Sequence, residues 1–272
     1  MFAVPPTEVP IKMGKFPLPP LDSISEEAYD QAKHLPYMSA CASIGYIAQW
    51  TKGEIQFAHS EYSRYMSKWT VELFVGLLYI LSYLYGNRHQ GIKFNGAENA
   101  HGVNRFYCYA DANLQVPRSR GCFAILCNGA WLELLSKLQT IVQLCSAATE
   151  ITECTRCAMS AVALRNMLNE MGLWQTTATV IYQDNQPAIR IAYNDGSLTQ
   201  RSRTLDLQTL KIRQLIEHAD VMLKYCKTKK MLVDVGTKVT PADQFKWMRD
   251  ALSGYLIEVG NSIPEGANWT RH

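Results

Sequence analysis

Four acidic residues fall where chemistry at one rim of a sheet becomes feasible: Asp111, Glu150, Asp184 and Asp234. Asp111 closes a short β-type run, Glu150 lies in the first turns of a long helical segment, Asp184 follows a strand and opens a helix, and Asp234 follows the last strand. Strand ends and helix starts on one rim are where α/β sites gather. Taken singly, each acid has a local explanation. Asp184 suits an N-cap, Glu150 a solvated helix face, Asp111 a turn and Asp234 a loop. Taken together, four carboxylates cannot all stay ionised without a counter-charge. A hard divalent cation with oxygen ligands compensates them, Mg²⁺ foremost with Mn²⁺ as the alternative. Two such ions ~4 Å apart form the clamp used in phosphodiester hydrolysis.

The elements that must position these acids are legible from periodicity. Short β-type runs fall at 105–112 (RFYCYADA), 121–127 (GCFAILC), 130–136 (AWLELLS), 177–183 (TATVIYQ) and 221–226. Asn128-Gly129 between the second and third is a hairpin turn signal. Helical patterns run over 146–171, stopping at Gly172, then over 184–193 and 204–218. A last helix opens at Thr240, read as its N-cap with Asp243 closing a capping-box-like pair. The order β-β-β-α-β-α-α-β-α predicts an α/β mixed five-stranded sheet with flanking helices.

Ahead of the sheet, 36–87 reads as a small all-helical domain. Ile44, Ile47 and Ala48 share one face, and Leu73–Tyr85 is the most apolar run. Residues 1–35 form an extended Pro-rich lead-in, 88–104 a Gly/Asn/His-rich linker, 105–256 the sheet domain and 257–272 a tail. Leu73–Tyr85 is too short to cross a bilayer, which takes ~20 residues, so no membrane partner is expected. The proline-rich start lacks the apolar core of a secretory signal, which puts the chain in the cytoplasm or nucleus. The 8 cysteines then read as reduced core thiols, and the CTRC spacing of Cys154 and Cys157 has no second pair to complete a zinc site. With 47% hydrophobic residues and a net charge of +3, wholesale disorder is excluded and a polybasic tail unsupported.

In their order, the segments resemble the C-terminal part of the Pol polyprotein of copia-type LTR retrotransposons, the reverse transcriptase thumb and connection followed by ribonuclease H. The resemblance runs from about Tyr37 to Ala251. In the helical part, PYMSA at 36–40 is similar to the family's PYRSA, TKGEI at 51–55 stands for TRPDI, SRYMSK at 63–68 for SRFMSKP and SYLYG at 82–86 for RYLKG. In the second part, YADAN at 109–113 stands for YSDADW, SKLQT at 136–140 for SKKQT and SAATEI at 146–151 for SSTEAEY. LRNMLNEMG at 164–172 stands for LRRLLEELG, QDNQPAI at 183–189 for CDNQSAI, SRT at 202–204 for SRT and LVDVGTK at 232–238 for LADIFTK. The departures are Asn113 and Leu114 in place of the Asp-Trp of DADW, and the missing Lys-His after SRT.

The resemblance implies a ribonuclease H-like fold and a metal-dependent endoribonuclease that cuts the RNA strand of RNA–DNA hybrids. It implies that Asp111, Glu150, Asp184 and Asp234 are both catalytic and metal-binding, with Asp111 bridging two Mg²⁺ ions, Glu150 and Asp184 completing one shell and Asp234 the other. No Asp-Asp dipeptide occurs, so polymerase activity is not expected from this chain, and an upstream polymerase portion of Pol is an expected partner. The alternative is a catalytically silent retroelement remnant that binds nucleic acid or has no activity. The missing polymerase pair and Lys-His favour it, whereas the four acids favour the nuclease.

Substrate grip would come from basic residues. Residues 201–230 hold Arg201, Arg203, Lys211, Arg213, Lys224, Lys227, Lys229 and Lys230 against Asp206, Glu217 and Asp220, a local surplus of five. Such a stripe suits phosphate contacts, or is simply a solvated face. Arg118 and Arg120 in the first hairpin are further candidates. Trp131 and Trp174 are read as core rather than base-stacking residues.

Overall fold

The computed structural model describes residues 5–12, 18–95, 106–193 and 203–256, and the side chains of 203–206 lie outside that description. The chain divides into two compact units, Met1–Gly91 with Lys238–Arg249, and Ile92–Thr237 with Asp250–His272.

The first unit is helical: α1 (Glu26–Ala32), α2 (Tyr37–Trp50), α3 (Gln56–Ser63) and α4 (Val71–Gly86). The apolar run seen in the sequence is α4, with Leu73, Leu77, Ile80, Tyr83 and Leu84 buried, and α2 and α3 pack on it. No helix among the described residues is long and apolar enough to cross a membrane.

The second unit is an α/β unit built on one five-stranded sheet. Its elements are β1 (Phe106–Asn113), β2 (Arg120–Cys127), β3 (Ala130–Leu138), α5 (Ser146–Glu170), β4 (Thr179–Gln183), α6 (Gln186–Ala192), α7 (Arg203–Glu217) and β5 (Val221–Tyr225), followed by a 3₁₀ segment at Leu232–Gly236. The strand order is β3-β2-β1-β4-β5. β1, β2 and β3 form an antiparallel meander, and β4 and β5 join it in parallel. This is the mixed five-stranded sheet expected from the element order. Parallel neighbours need crossovers, and α5 supplies the first, α6 and α7 the second.

The local reasons are those of the sequence. Asn128 and Gly129 both take positive φ, 49° and 82°, as a two-residue hairpin turn requires. α5 ends at Gly172, whose φ of 78° lets Leu173 N–H reach back to the Leu168 carbonyl. Alternate strand residues Phe106, Cys108 and Ala110 of β1 and Phe123, Ile125 and Cys127 of β2 pack against Ile151, Cys154, Cys157 and Ala158 of α5. Both residues of the CTRC spacing are therefore core thiols, and seven of the eight cysteines are buried, Cys145 alone being exposed.

Three expectations need correction. The stretch 1–35, expected to be an extended lead-in, carries α1 (Glu26–Ala32) within the helical unit. The sheet domain does not run unbroken to 256. The last helix, α8 (Ala242–Leu252), contributes its residues through Arg249 to the helical unit. There Phe245 meets Tyr83 edge-on at 5.7 Å and Arg249 donates to Asn87 Oδ1 at 2.9 Å. Nor does Thr240 cap this helix. The first helical residue is Ala242, Phe245 N–H bonds the Pro241 carbonyl, and Thr240 Oγ1 is buried without a partner.

Candidate functional site

Asp111, Glu150 and Asp184 each bring a carboxylate oxygen within 4.8 Å of the others. Asp111 lies near the C-terminal end of β1, paired with Cys122 of β2, and is 7% exposed. Glu150 lies in the second turn of α5 and is 4% exposed, so it is not a solvated helix residue. Asp184 directly follows β4. The cap of α6 is Asn185, whose side chain accepts the Ala188 N–H, so Asp184 keeps its carboxylate for the cluster.

Each carboxylate is held by named donors. Thr237 Oγ1 donates to Asp111 Oδ2 at 2.7 Å and Thr228 Oγ1 to Asp184 Oδ2 at 2.7 Å. Glu150 Oε2 accepts the Ala112 N–H at 2.9 Å and Gln183 Nε2–H at 3.1 Å. Burial first, then the facing Asp111 and Asp184, push the Glu150 carboxyl up to about 9, although the Gln183 and Ala112 bonds pull it down. In the absence of a counter-charge, then, the cluster keeps Glu150 protonated at neutral pH. The donor set is all carboxylate oxygen, the ligand type of hard cations, and oxygens on one Mg²⁺ or Mn²⁺ lie up to ~4.2 Å apart. The cluster thus fits a hard divalent cation in ligand chemistry.

The fourth acid does not join this trio. Asp234 is 1% exposed on the 3₁₀ segment Leu232–Gly236. That segment reaches the site through Thr237, the residue that holds Asp111. Among the described residues no second group of three metal-type ligands gathers around Asp234.

One turn further along α5, Glu153 is fully buried and paired with Arg156 Nη1 at 2.7 Å. Burial pushes its carboxyl up to about 7 against the pull of Arg156. It lies against Gly121, where any Cβ would collide with its carboxylate. Sequence reasoning missed Glu153, Gln183 and Thr237. The i, i+3 spacing of Glu153 and Arg156 was the signal for the first. Gln183 and Thr237 had no signal beyond their place inside the motifs.

Of the candidate phosphate contacts, Lys227 and Lys229 are exposed and Lys230 is half-buried. They flank Thr228, which holds Asp184, so the basic segment adjoins the acid cluster. Arg118 is exposed. Arg120 is a correction, because its side chain is fully buried and donates to Ser136 Oγ at 3.5 Å, out of reach of any phosphate. Arg201 and the side chain of Arg203 lie outside the described residues. Arg213 bonds the Ile191 carbonyl at 2.7 Å and is half-buried. Trp131 is core as expected, but Trp174 is 68% exposed in the turn after α5.

No protein-family model matches this chain. Among curated proteins it is similar to the retrovirus-related Pol polyprotein from transposon TNT 1-94 of Nicotiana tabacum, 26% identical over 227 residues, which cover 83% of this chain and 17% of that protein. The chain thus spans only that 17% of its relative's length. Similar solved structures include LC11-RNase H1 in complex with an RNA/DNA hybrid, with a TM-score of 0.37 and 11% identity over 47% of this chain and 88% of that one. The foamy viral protease-reverse transcriptase in complex with an RNA/DNA hybrid has a TM-score of 0.43 and 13% identity over 80% of this chain and 28% of that one. The likeness to a retrotransposon Pol polyprotein read from the motifs is thereby borne out at the level of sequence similarity.

Proposed function

We propose that this chain is a metal-dependent endoribonuclease acting on the RNA strand of RNA–DNA hybrids, as part of a retrotransposon-type Pol polyprotein. One observation carries the reading. Three carboxylates meet within 4.8 Å on a ribonuclease H-like sheet, and burial beside the other two raises the carboxyl of one of them, Glu150. The order of the motifs, shared with copia-type elements, supports the hybrid as substrate and an upstream polymerase portion as partner.

Asp111, Glu150 and Asp184 would hold the ion, Mg²⁺ or Mn²⁺. The chemistry it supplies when bound is Lewis-acid polarisation at the scissile phosphate and a lowered pKa for an attacking water. The residues of the chain do the rest. Thr237 fixes the Asp111 carboxylate and Thr228 that of Asp184. Lys227, Lys229 and Lys230, beside Thr228, take phosphates of the substrate backbone, with Arg118 as a further contact. Asp234, on the 3₁₀ segment that leads to Thr237 and through it to Asp111, would serve a second ion.

The test is a gel assay with end-labelled hybrid, with Mg²⁺ and with EDTA. Mg²⁺-dependent cleavage confined to the RNA strand supports the reading. Hybrid binding with no cleavage in either Mg²⁺ or Mn²⁺ makes the chain a silent nucleic-acid binder.

A further inference from the structure

Gln183 ends β4 directly before Asp184 and is fully buried. Its single side-chain amide is bonded on every side. Nε2 donates to Glu150 Oε2 at 3.1 Å and to Cys154 Sγ at 3.1 Å. Oε1 accepts the backbone N–H of Asp184 at 2.7 Å and of Asn185 at 3.0 Å. An amide has two donor hydrogens and two acceptor lone pairs, so all four are used. The orientation is therefore fixed. A flipped amide would set its oxygen against Glu150 Oε2 and its hydrogens against two backbone N–H groups.

We propose that Gln183 is a positioning residue that seats Glu150 and Asp184 against each other, one through its N–H and the other through its carbonyl. The inference rests on the nuclease reading for its functional consequence, but not for its geometry. No other residue type of this length offers both halves. Met fills the space and bonds neither side, whereas Glu keeps the acceptor for Asp184 and Asn185. In the copia-type segment CDNQSAI this position is a cysteine, whose one weak donor cannot span both ligands. The seat is thus a property of this chain's own sequence. Partners that orient metal ligands typically carry 10–100-fold of metal affinity.

Three backbone amides report the seat in metal-free protein. Ala112 N–H bonds the Glu150 carboxylate, and Asp184 and Asn185 N–H bond the Gln183 carbonyl. Amide exchange by NMR is compared for wild type, Gln183→Met and Gln183→Glu, together with Mn²⁺ affinity measured by calorimetry without substrate. Gln183→Met is expected to speed exchange at all three amides by about tenfold, above any change at the other β1 amides, as the loss of one buried hydrogen bond implies. It is also expected to weaken Mn²⁺ binding by about tenfold or more. Gln183→Glu is expected to restore protection at Asp184 and Asn185. Should Gln183→Met not fold, protection at these two amides in Gln183→Glu decides, and its loss overturns the proposal. Unchanged exchange at the three amides, a uniform rise across the sheet, or Mn²⁺ affinity equal to wild type also overturns it. Wild type that binds no Mn²⁺ defeats the nuclease reading instead, and the exchange pattern still decides the seat.

Discussion

Replacing Glu150 by Gln should make the metal-free protein more stable while destroying its metal site. Glu150 is 4% exposed, and burial with the facing Asp111 and Asp184 carries its carboxyl up to about 9. In the unfolded chain a glutamate titrates near ~4.3. Between these two values the folded protein binds a proton that the unfolded chain has released. Stability is therefore greatest below ~4.3 and falls as pH rises through the window to about 9. At pH 7 the penalty spans roughly 2.7 pH units at ~1.4 kcal/mol each, and relaxation of the site leaves about 2–4 kcal/mol. Gln does not titrate, and its carbonyl can accept both bonds that Oε2 now accepts, from Ala112 N–H and Gln183 Nε2–H. Its amide hydrogens would face Asp111 and Asp184 favourably. Urea unfolding in EDTA at pH 4.5, 6, 7 and 8 measures the effect. The variant should match wild type at pH 4.5 and exceed it progressively above, by a midpoint shift of about 1–2 M at pH 7. Added Mg²⁺ should then raise wild type and leave the variant unmoved. A gap that fails to open between pH 5 and 8 would refute both the raised carboxyl and the cost assigned to the cluster.

Asp184→Asn keeps size but removes a charge the cation needs. It should abolish Mg²⁺-dependent hybrid cleavage while leaving hybrid affinity in EDTA nearly unchanged, as read by fluorescence anisotropy. Lys227→Ala with Lys229→Ala and Lys230→Ala should do the reverse, with weaker binding and cleavage recovered at saturating substrate. Each phosphate that the triple variant leaves unneutralised should flatten the log–log salt slope by ~0.7–0.9, and an untouched slope would make the segment a merely solvated face. Gly121→Ala would press a methyl onto the buried Glu153 carboxylate. It should cost about 2–3 kcal/mol in urea unfolding, and a loss below ~0.5 kcal/mol would show that Glu153 moves aside freely.

The strands and helices of the α/β unit were legible because each carries its own period and its own punctuation. Asn128-Gly129 and Gly172 take the positive φ that their positions in the sequence implied. The trio was legible only as a set, since Asp184 reads locally as a cap until Asn185 is seen to fill that role. Arg120 was misread because β2 shows no alternation at all. Every residue of it is buried, with α5 packed on one face and the 3₁₀ segment Leu232–Gly236 approaching the other. A period-2 argument then has nothing to grip, and an arginine beside Arg118 looks like a surface pair. Trp174 was misread for the opposite reason. It follows the Gly172 turn, where backbone geometry rather than side-chain burial sets the path. The capping of α8 failed because a Pro at 241 and an Asp at 243 fit a helix starting one residue either way.

The cost of the cluster itself bears on whether this is a working site or a relic. Asp111 and Glu150 are buried and meet Asp184 within 4.8 Å, an arrangement that opposes folding at neutral pH. Packing does not require it. The core of this unit lies in the interface of β1 and β2 with α5, built from Phe106, Phe123, Ile125, Ile151 and their neighbours. An amide at 150 or 184 would satisfy the same hydrogen bonds without the repulsion. The chain departs from the copia-type motifs at Asn113 and Leu114, in place of Asp-Trp, and has no Lys-His after SRT. At the positions where a neutral residue would relieve strain, it keeps the charged one. Groups that lower stability and serve no fold support the metal site proposed above. Four polar groups also hold the trio: Gln183, Thr237, Thr228 and the Ala112 amide. The Gln183 and Ala112 bonds favour the ionised Glu150 carboxylate, the form that binds a cation and the form that burial resists.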